Sequence, residues 1–342
     1  MHTPEKHFIV QLTKKIYIMK KYQINFLKGF RYIFQKIFGQ AWSFPISEKE
    51  PDTANAIIID YLNDVKPCMI ARLGSTELMC LINYLGIKEG KNKFGSFLSG
   101  TSGPWWWENS TIEQMKNWSG FFPADKNLLN KFCELMLEDI NHVDVLGSWL
   151  KNENFILPRM NVKLLNLRLI EPFWAKSPWT NLLKDKKVLV IHPFEEEIKA
   201  QYKNREKLFK NNLLPKFELK TIKAVQSLGG DSDFDNWFEA LDWMKAKMDM
   251  IDYDICLIGA GAYGFPLAAH AKRTGKKSIH LGGSLQLLFG IIGKRWEDPN
   301  YGVREWQIPK GSYSSLINEN WIRPGNHLKP KNAQQVEGAC YW

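Results

Sequence analysis

The chain has 342 residues, 44% of them hydrophobic and 13% aromatic, with 14 Trp and a formal net charge of +10. Such a length buries a sizeable core, as one large α/β domain or two lobes. Residues 1–40 carry Lys6, Lys14, Lys15, Lys20, Lys21, Lys28, Arg31 and Lys36 against Glu5 alone, so the rest is nearly balanced, which argues against nucleic acid as a partner.

The five cysteines are scattered and odd in number, with no CxxC or Cys/His cluster, which predicts a reducing compartment and no zinc. No apolar run is long enough to span a bilayer, and no apolar segment precedes a small-residue cleavage site. A cytoplasmic protein is expected.

The basic arm comes first. Phe26, Phe30, Ile33, Phe34, Ile37 and Phe38 recur at helical spacing, with Lys28, Arg31 and Lys36 mostly elsewhere around the turn. Residues 1–45 therefore read as a separate basic amphipathic segment. Its two readings are an anchor on an anionic membrane surface through residues 1–40, on the inner face, or a terminal helix packed on the body. The body, residues 46–342, reads as one domain.

Residues 47–64 read as a capped helix, 68–72 as a short buried strand, and the segment through Tyr84 as a helix. A loop-rich stretch, "KFGSFLSGTSGPWWWENS", follows at 93–110. Pro123 is expected to open a helix to Ile140, with Leu128, Leu129, Phe132, Leu135 and Met136 on one stripe. Strands are expected at 142–149, 186–194 and 217–225, with helices from Glu195 to about Phe209 and from Trp237 to Met248. The last pair of strands is Asp254–Ile258 and Lys277–Leu281, with a helix from about Phe265 between them. Strands alternating with helices indicate a Rossmann-like, mostly parallel sheet with flanking helices.

Ligands of such sheets bind beyond the carboxyl ends of the strands. Those ends carry Arg72 to Glu77, Gly147-Ser148-Trp149, His192-Pro193-Phe194, Gln226-Ser227, Gly259 to Gly264, and His280 to Gly283. The strand running into Gly259-x-Gly261-x-x-Gly264 matches a dinucleotide-binding turn. NAD would need a carboxylate at the end of the next strand, where this chain has His280. The turn is then a tight strand–helix connection needing small residues, or a contact to a nucleotide diphosphate.

"IARLGSTEL" resembles the Arg-x-Gly-Asp-Gly-Glu segment that opens GT-D-type glycosyltransferases. "HPFEEEIKAQY", "PWTNLL", "LIGAGAYGFPLAAHAKRTGKKSIHLGG" and "LLFGIIGKRW" resemble bacterial GT-D-like proteins of surface-polysaccharide loci. The resemblance covers residue 55 to Trp342. It implies a GT-D-like fold and transfer of a hexose from a nucleotide-sugar donor, a UDP-sugar in first place, to a glycan or lipid-linked acceptor. Arg72, Gly74 and Glu77 match the motif. Ser75 stands where the family has the first carboxylate of Asp-x-Glu. A Mg²⁺ or Mn²⁺ ion would then be held by Glu77 and by the diphosphate more than by protein.

Glycosyl transfer sets the candidate roles. Glu77 is the metal ligand or base, the alternative being a cap on the helix it opens. His192 and His280 are bases or diphosphate contacts, the alternative being buried core histidines. Arg72, Gly74, Ser75, Gly259, Gly261, Tyr263, Gly264, Gly282, Gly283 and Arg295 form the donor site, with Lys294 beside Arg295. Trp105, Trp106 and Trp107, in a Gly/Ser-rich loop, are expected to expose at least one ring for stacking on a sugar. Glu195 to Glu197 are alternative base or metal residues, or simply carboxylates favoured in a helix first turn. Two other functions stay open: a Rossmann-type enzyme using NAD or S-adenosylmethionine, and a carbohydrate- or nucleotide-binding protein without turnover.

Overall fold

The structure is a computed structural model that describes residues 22–39, 42–90, 93–227, 233–325, 329 and 340–342. The chain divides into two compact units. The smaller takes its described residues from the arm up to Ser43 and from Ile82–Trp106; the larger is Phe44–Leu81 with Trp107–Trp342. The division falls near the expected boundary at 45, but the stretch 82–106, assigned to the body, groups with the arm.

In the smaller unit, α1 covers residues 22–38. Residues 1–21 of the expected segment lie outside the described residues. Arg31 lies over the Phe97 ring at 4.7 Å and Gln35 Nε2 donates to Leu98 O at 3.2 Å, which fixes one face of α1 on α4, Phe94–Ser99. Trp105 and Trp106 pack edge-on against Phe97 in the same unit.

The larger unit is a seven-stranded, all-parallel sheet in the order β3-β2-β1-β7-β6-β4-β5. The strands are β1 Met69–Ala71, β2 Val145–Ser148, β3 Lys163–Asn166, β4 Lys187–His192, β5 Glu218–Lys223, β6 Ile255–Ile258 and β7 Lys277–His280. The four central strands are short and buried on both faces, as parallel strands covered by helices must be. Val188, Val190, Ile255, Leu257, Ile70 and Ile279 point to one face. There α2, Pro51–Asn63, and the aromatic C-terminal segment with Trp296 and Trp321 complete the core. The other face is covered by the helix Gly264–Arg273, which packs on β1, β6 and β7 and against the helices Lys126–Asp139 and Trp237–Asp249.

Side-chain oxygens set several helix starts. Glu50 accepts from the Asp52 and Thr53 amides at the head of α2. Asp125 caps the helix Lys126–Asp139, which begins three residues beyond Pro123; that proline follows a cis peptide bond instead of occupying the first turn. Helix α3, Ser75–Glu89, starts directly after β1. The helix expected from Glu195 is two pieces, Glu195–Lys203 and Arg205–Leu208, parted at Asn204.

β3 is the strand that sequence reading misses. It is an edge strand of four residues with one fully buried side chain, Leu165, so it lacks the continuous apolar run of its neighbours.

Candidate active site

The strand order places the ends of β1, β7, β6 and β4 side by side, with β1 and β7 paired as Met69↔Ser278 and Ile70↔Ile279. Beyond those ends lies a cavity of about 590 Å³, lined by residues of the larger unit. Arg72, Gly74, Ser75, Glu77, His192, Gly259, Gly261, Tyr263, His280, Gly282, Gly283 and Arg295 all line it. Residues from four strand ends, far apart in sequence, thus share one wall.

Arg72 leaves β1 toward Gly282, where an added Cβ would stand 2.9 Å from Nη1. Its guanidinium lies over the Trp149 ring at 5.2 Å and donates to Leu73 O through Nη2. Arg72 Nε is buried without a hydrogen-bond partner, and no carboxylate among the described residues forms a salt bridge with Arg72. The helix-carboxylate salt bridge is therefore not its role. A half-buried guanidinium with an unpartnered Nε in a concave wall is a site for an anion.

Trp149 is itself held. Its indole N–H donates to Leu73 O at 3.0 Å, and its backbone amide donates to Glu153. Glu153 is fully buried and also accepts from Ser148 Oγ and the Leu150 amide. Burial raises its pKa, while those hydrogen bonds and Arg72 pull it down. Glu153 thus positions the platform beneath Arg72. Sequence reading noted Trp149 at a strand end but not Glu153, which sits in a short polar run without a motif.

The two histidines differ in what they offer. His192 Nδ1 accepts from the Phe194 amide at 3.0 Å, so its neutral ring carries the proton on Nε2 and donates there. The base role expected of His192 is thereby excluded: neither ring nitrogen has a free lone pair. His280 Nδ1 donates to Ile258 O at 3.3 Å, which leaves Nε2 as an acceptor. Burial lowers both pKa values to about 3, with Arg72 adding to the effect at His280. Both rings are neutral at physiological pH.

These rings explain the glycine turn. A Cβ on Gly264 would lie 2.2 Å from His280 Cε1, and one on Gly259 2.6 Å from His192 Cδ2. The outer glycines make room for imidazoles. Gly264, an expected donor contact, lies against His280 and outside the cavity lining. Gly261 differs: its φ is +52° and the space beside it is open. The Tyr263 hydroxyl is bonded to Ser227 Oγ, which donates to Gly120 O, and its ring stacks on Trp237 at 4.8 Å. Tyr263 offers the cavity a ring edge and no free hydroxyl.

Glu77 is the one carboxylate in the lining. It folds back over Gly74, whose Cβ would meet Oε2 at 1.8 Å, and it accepts no hydrogen bond from the described residues. The capping alternative is not realised.

A metal finds little protein here. No group of three or more His, Cys, Asp or Glu among the described residues is arranged to hold one. The single carboxylate, the two neutral imidazoles and Ser75 do not build a divalent-cation site.

Several expectations move. Trp105, Trp106 and Trp107 are half-buried, none is exposed, and none lines the cavity. The exposed ring at the cavity is Trp118, 51% accessible, in a loop whose sequence gives no signal of the role. Glu195 is spent on Thr221 and Lys199, Glu196 on Lys199, and none of Glu195 to Glu197 lines the cavity. Lys294 is exposed outside the lining, while Arg295 faces in, over the Tyr341 ring at 4.5 Å.

No protein-family model, curated protein or solved structure matches this chain. The geometry of the cavity therefore carries the functional argument.

Proposed function

We propose that the chain is a GT-D-like glycosyltransferase. It moves a hexose from a nucleoside-diphosphate sugar, a UDP-sugar in the first instance, to a hydroxyl of a glycan or lipid-linked acceptor in the cytoplasm. The observation that carries this reading is Arg72: a guanidinium with a buried, unpartnered Nε, set in a cavity rich in glycine backbone and aromatic rings. A diphosphate supplies the missing charge, and its oxygens match the guanidinium fork.

The reaction follows from the same residues. The acceptor oxygen bonds to the anomeric carbon and the bond from that carbon to the phosphate oxygen breaks. The electron pair leaves with the nucleoside diphosphate. Arg72 neutralises that developing charge, and His192 Nε2–H donates to the same anion. The acceptor hydroxyl proton passes to Glu77, whose carboxylate is unspent, or is held by His280 Nε2. Trp118 supplies a flat face for the sugar or base.

Tryptophan fluorescence tests the reading, because Trp118 and Trp149 line the cavity. UDP-glucose, NADH and S-adenosylmethionine are titrated in parallel. Saturable quenching by the UDP-sugar, lost in Arg72→Gln, is expected. Tight NADH binding with energy transfer from Trp, and none for the UDP-sugar, overturns it.

A further inference from the structure

Helix α1 packs only part of its apolar surface on its neighbour. Arg31, Phe34 and Gln35, with Ile24 and Leu27, are the half-buried side that meets α4. Phe26, Phe30, Ile33 and Ile37 recur at i, i+4, i+7 and i+11, so they form one stripe, turned away from that side by about a third of the helix circumference. That stripe is open to solvent: Phe26 is 73%, Ile33 55% and Ile37 68% accessible, and Tyr22 extends it by one turn. Two aromatic and two β-branched side chains in a row on an exposed face leave a continuous apolar strip uncovered.

Charge selects the occupant. Lys28 and Lys36 are exposed on the same helix. The sequence before α1 adds Lys14, Lys15, Lys20 and Lys21, and residues 1–40 hold eight Lys and Arg against one Glu. Two copies of so cationic an arm repel each other, which disfavours a homodimer through this face. An anionic lipid surface satisfies both features at once: the stripe enters the acyl boundary and the lysines meet headgroups. No helix among the described residues is long and apolar enough to cross a membrane, so the helix lies in the surface plane.

We propose that α1 is an in-plane membrane anchor, with Phe26, Phe30, Ile33 and Ile37 inserted into an anionic bilayer. This inference is independent of the reaction assigned to the cavity.

The full chain is tested by co-sedimentation with vesicles of phosphatidylcholine, with and without phosphatidylglycerol. Binding to the anionic vesicles alone, weakened by salt, is expected. The triple variant Phe26→Ser, Ile33→Ser, Ile37→Ser should bind about tenfold or more weakly, since each change removes buried apolar area. Leucine at the same three positions should restore binding, and Lys36→Glu should weaken it. The substituted side chains are exposed, so circular dichroism and UDP-glucose quenching should stay at the parent values. Absence of binding by the full chain overturns the proposal. So does binding that ignores lipid charge, or binding unchanged in the serine variant. A dimer in light scattering that the serine variant converts to monomer assigns the stripe to self-association and also overturns it.

Discussion

At the scale of single residues, the cavity separates groups spent on the protein from groups kept for a ligand. Glu77 belongs to the second kind, because its carboxylate accepts nothing from the described residues. Glu77→Gln is therefore expected to cut transfer by about a hundredfold, the scale of a lost positioned base. Its melting temperature should stay within a degree or two of the parent, whereas a lost cap costs about 1 kcal/mol of folding stability. Steady-state kinetics beside a thermal melt separates these outcomes; a melt that moves while turnover does not would reassign Glu77 to the helix. Glu153 is of the first kind. Glu153→Ala leaves the Ser148 hydroxyl and two amides without their acceptor, each unmade bond costing roughly 1–3 kcal/mol. Glu153→Gln keeps an acceptor oxygen. It should retain most of the fold while weakening UDP-sugar binding through a looser Trp149 and Arg72, read as a raised KM and a smaller quench.

At the scale of elements, the strand–helix units were legible, because parallel strands buried on both faces are written as short apolar runs such as "VLVI" and "ICLI". Edge strand β3 was not, since a strand half-covered on both sides carries neither a run nor an alternation. The polar residues at the strand ends were legible for the same reason as the strands: they follow directly from the run that precedes them. Trp118 and Glu153 were not, because Trp118 reaches the cavity, and Glu153 reaches Trp149 behind it, along paths that depend on tertiary packing. The glycine turn was legible, and its need for small residues with it, but the imidazoles that impose that need were not. Gly259 and Gly264 serve His192 and His280, while Gly261 alone needs a left-handed backbone. Gly264→Ala should cost about 1–3 kcal/mol, as overpacking does. Gly261→Ala should cost about 1–2 kcal/mol from its φ alone. The UDP-sugar quench should fall in Gly264→Ala even where the fold survives, because the ring that must move is His280. Denaturant melts and titrations of the two variants check the contrast.

At the scale of the whole molecule, buried ionisable groups give stability two opposing pH dependences. His192 and His280 have folded pKa values near 3, below the usual 6.5, so the unfolded chain binds more protons between those values. Their contribution is complete above about pH 6.5 and is lost as pH falls toward 3. Glu171 is the opposite case: burial lifts it to about 7 from 4.5 despite hydrogen bonds from Tyr313 and Trp174. Its contribution is present below pH 4.5 and is lost as pH rises through 7. Glu171→Gln mimics the protonated form at every pH. Its melting temperature relative to the parent should rise from pH 5 and level off above about pH 7, and a flat difference would show that Glu171 is ionised in the fold. The central pairing of β1 with β7 has a further effect, on the order in which the molecule is made. β1 leaves the ribosome early and acquires β2 on one side, but its other edge faces nothing until β7 emerges after nearly all the rest of the sheet. During synthesis the middle of the future sheet is an open edge, the state in which a nascent chain most needs a chaperone. Arg72 and His280 flank that same seam. A product of interrupted translation that ends before Lys277 therefore has neither a closed sheet nor a cavity, and the candidate site comes into being only when the seam closes.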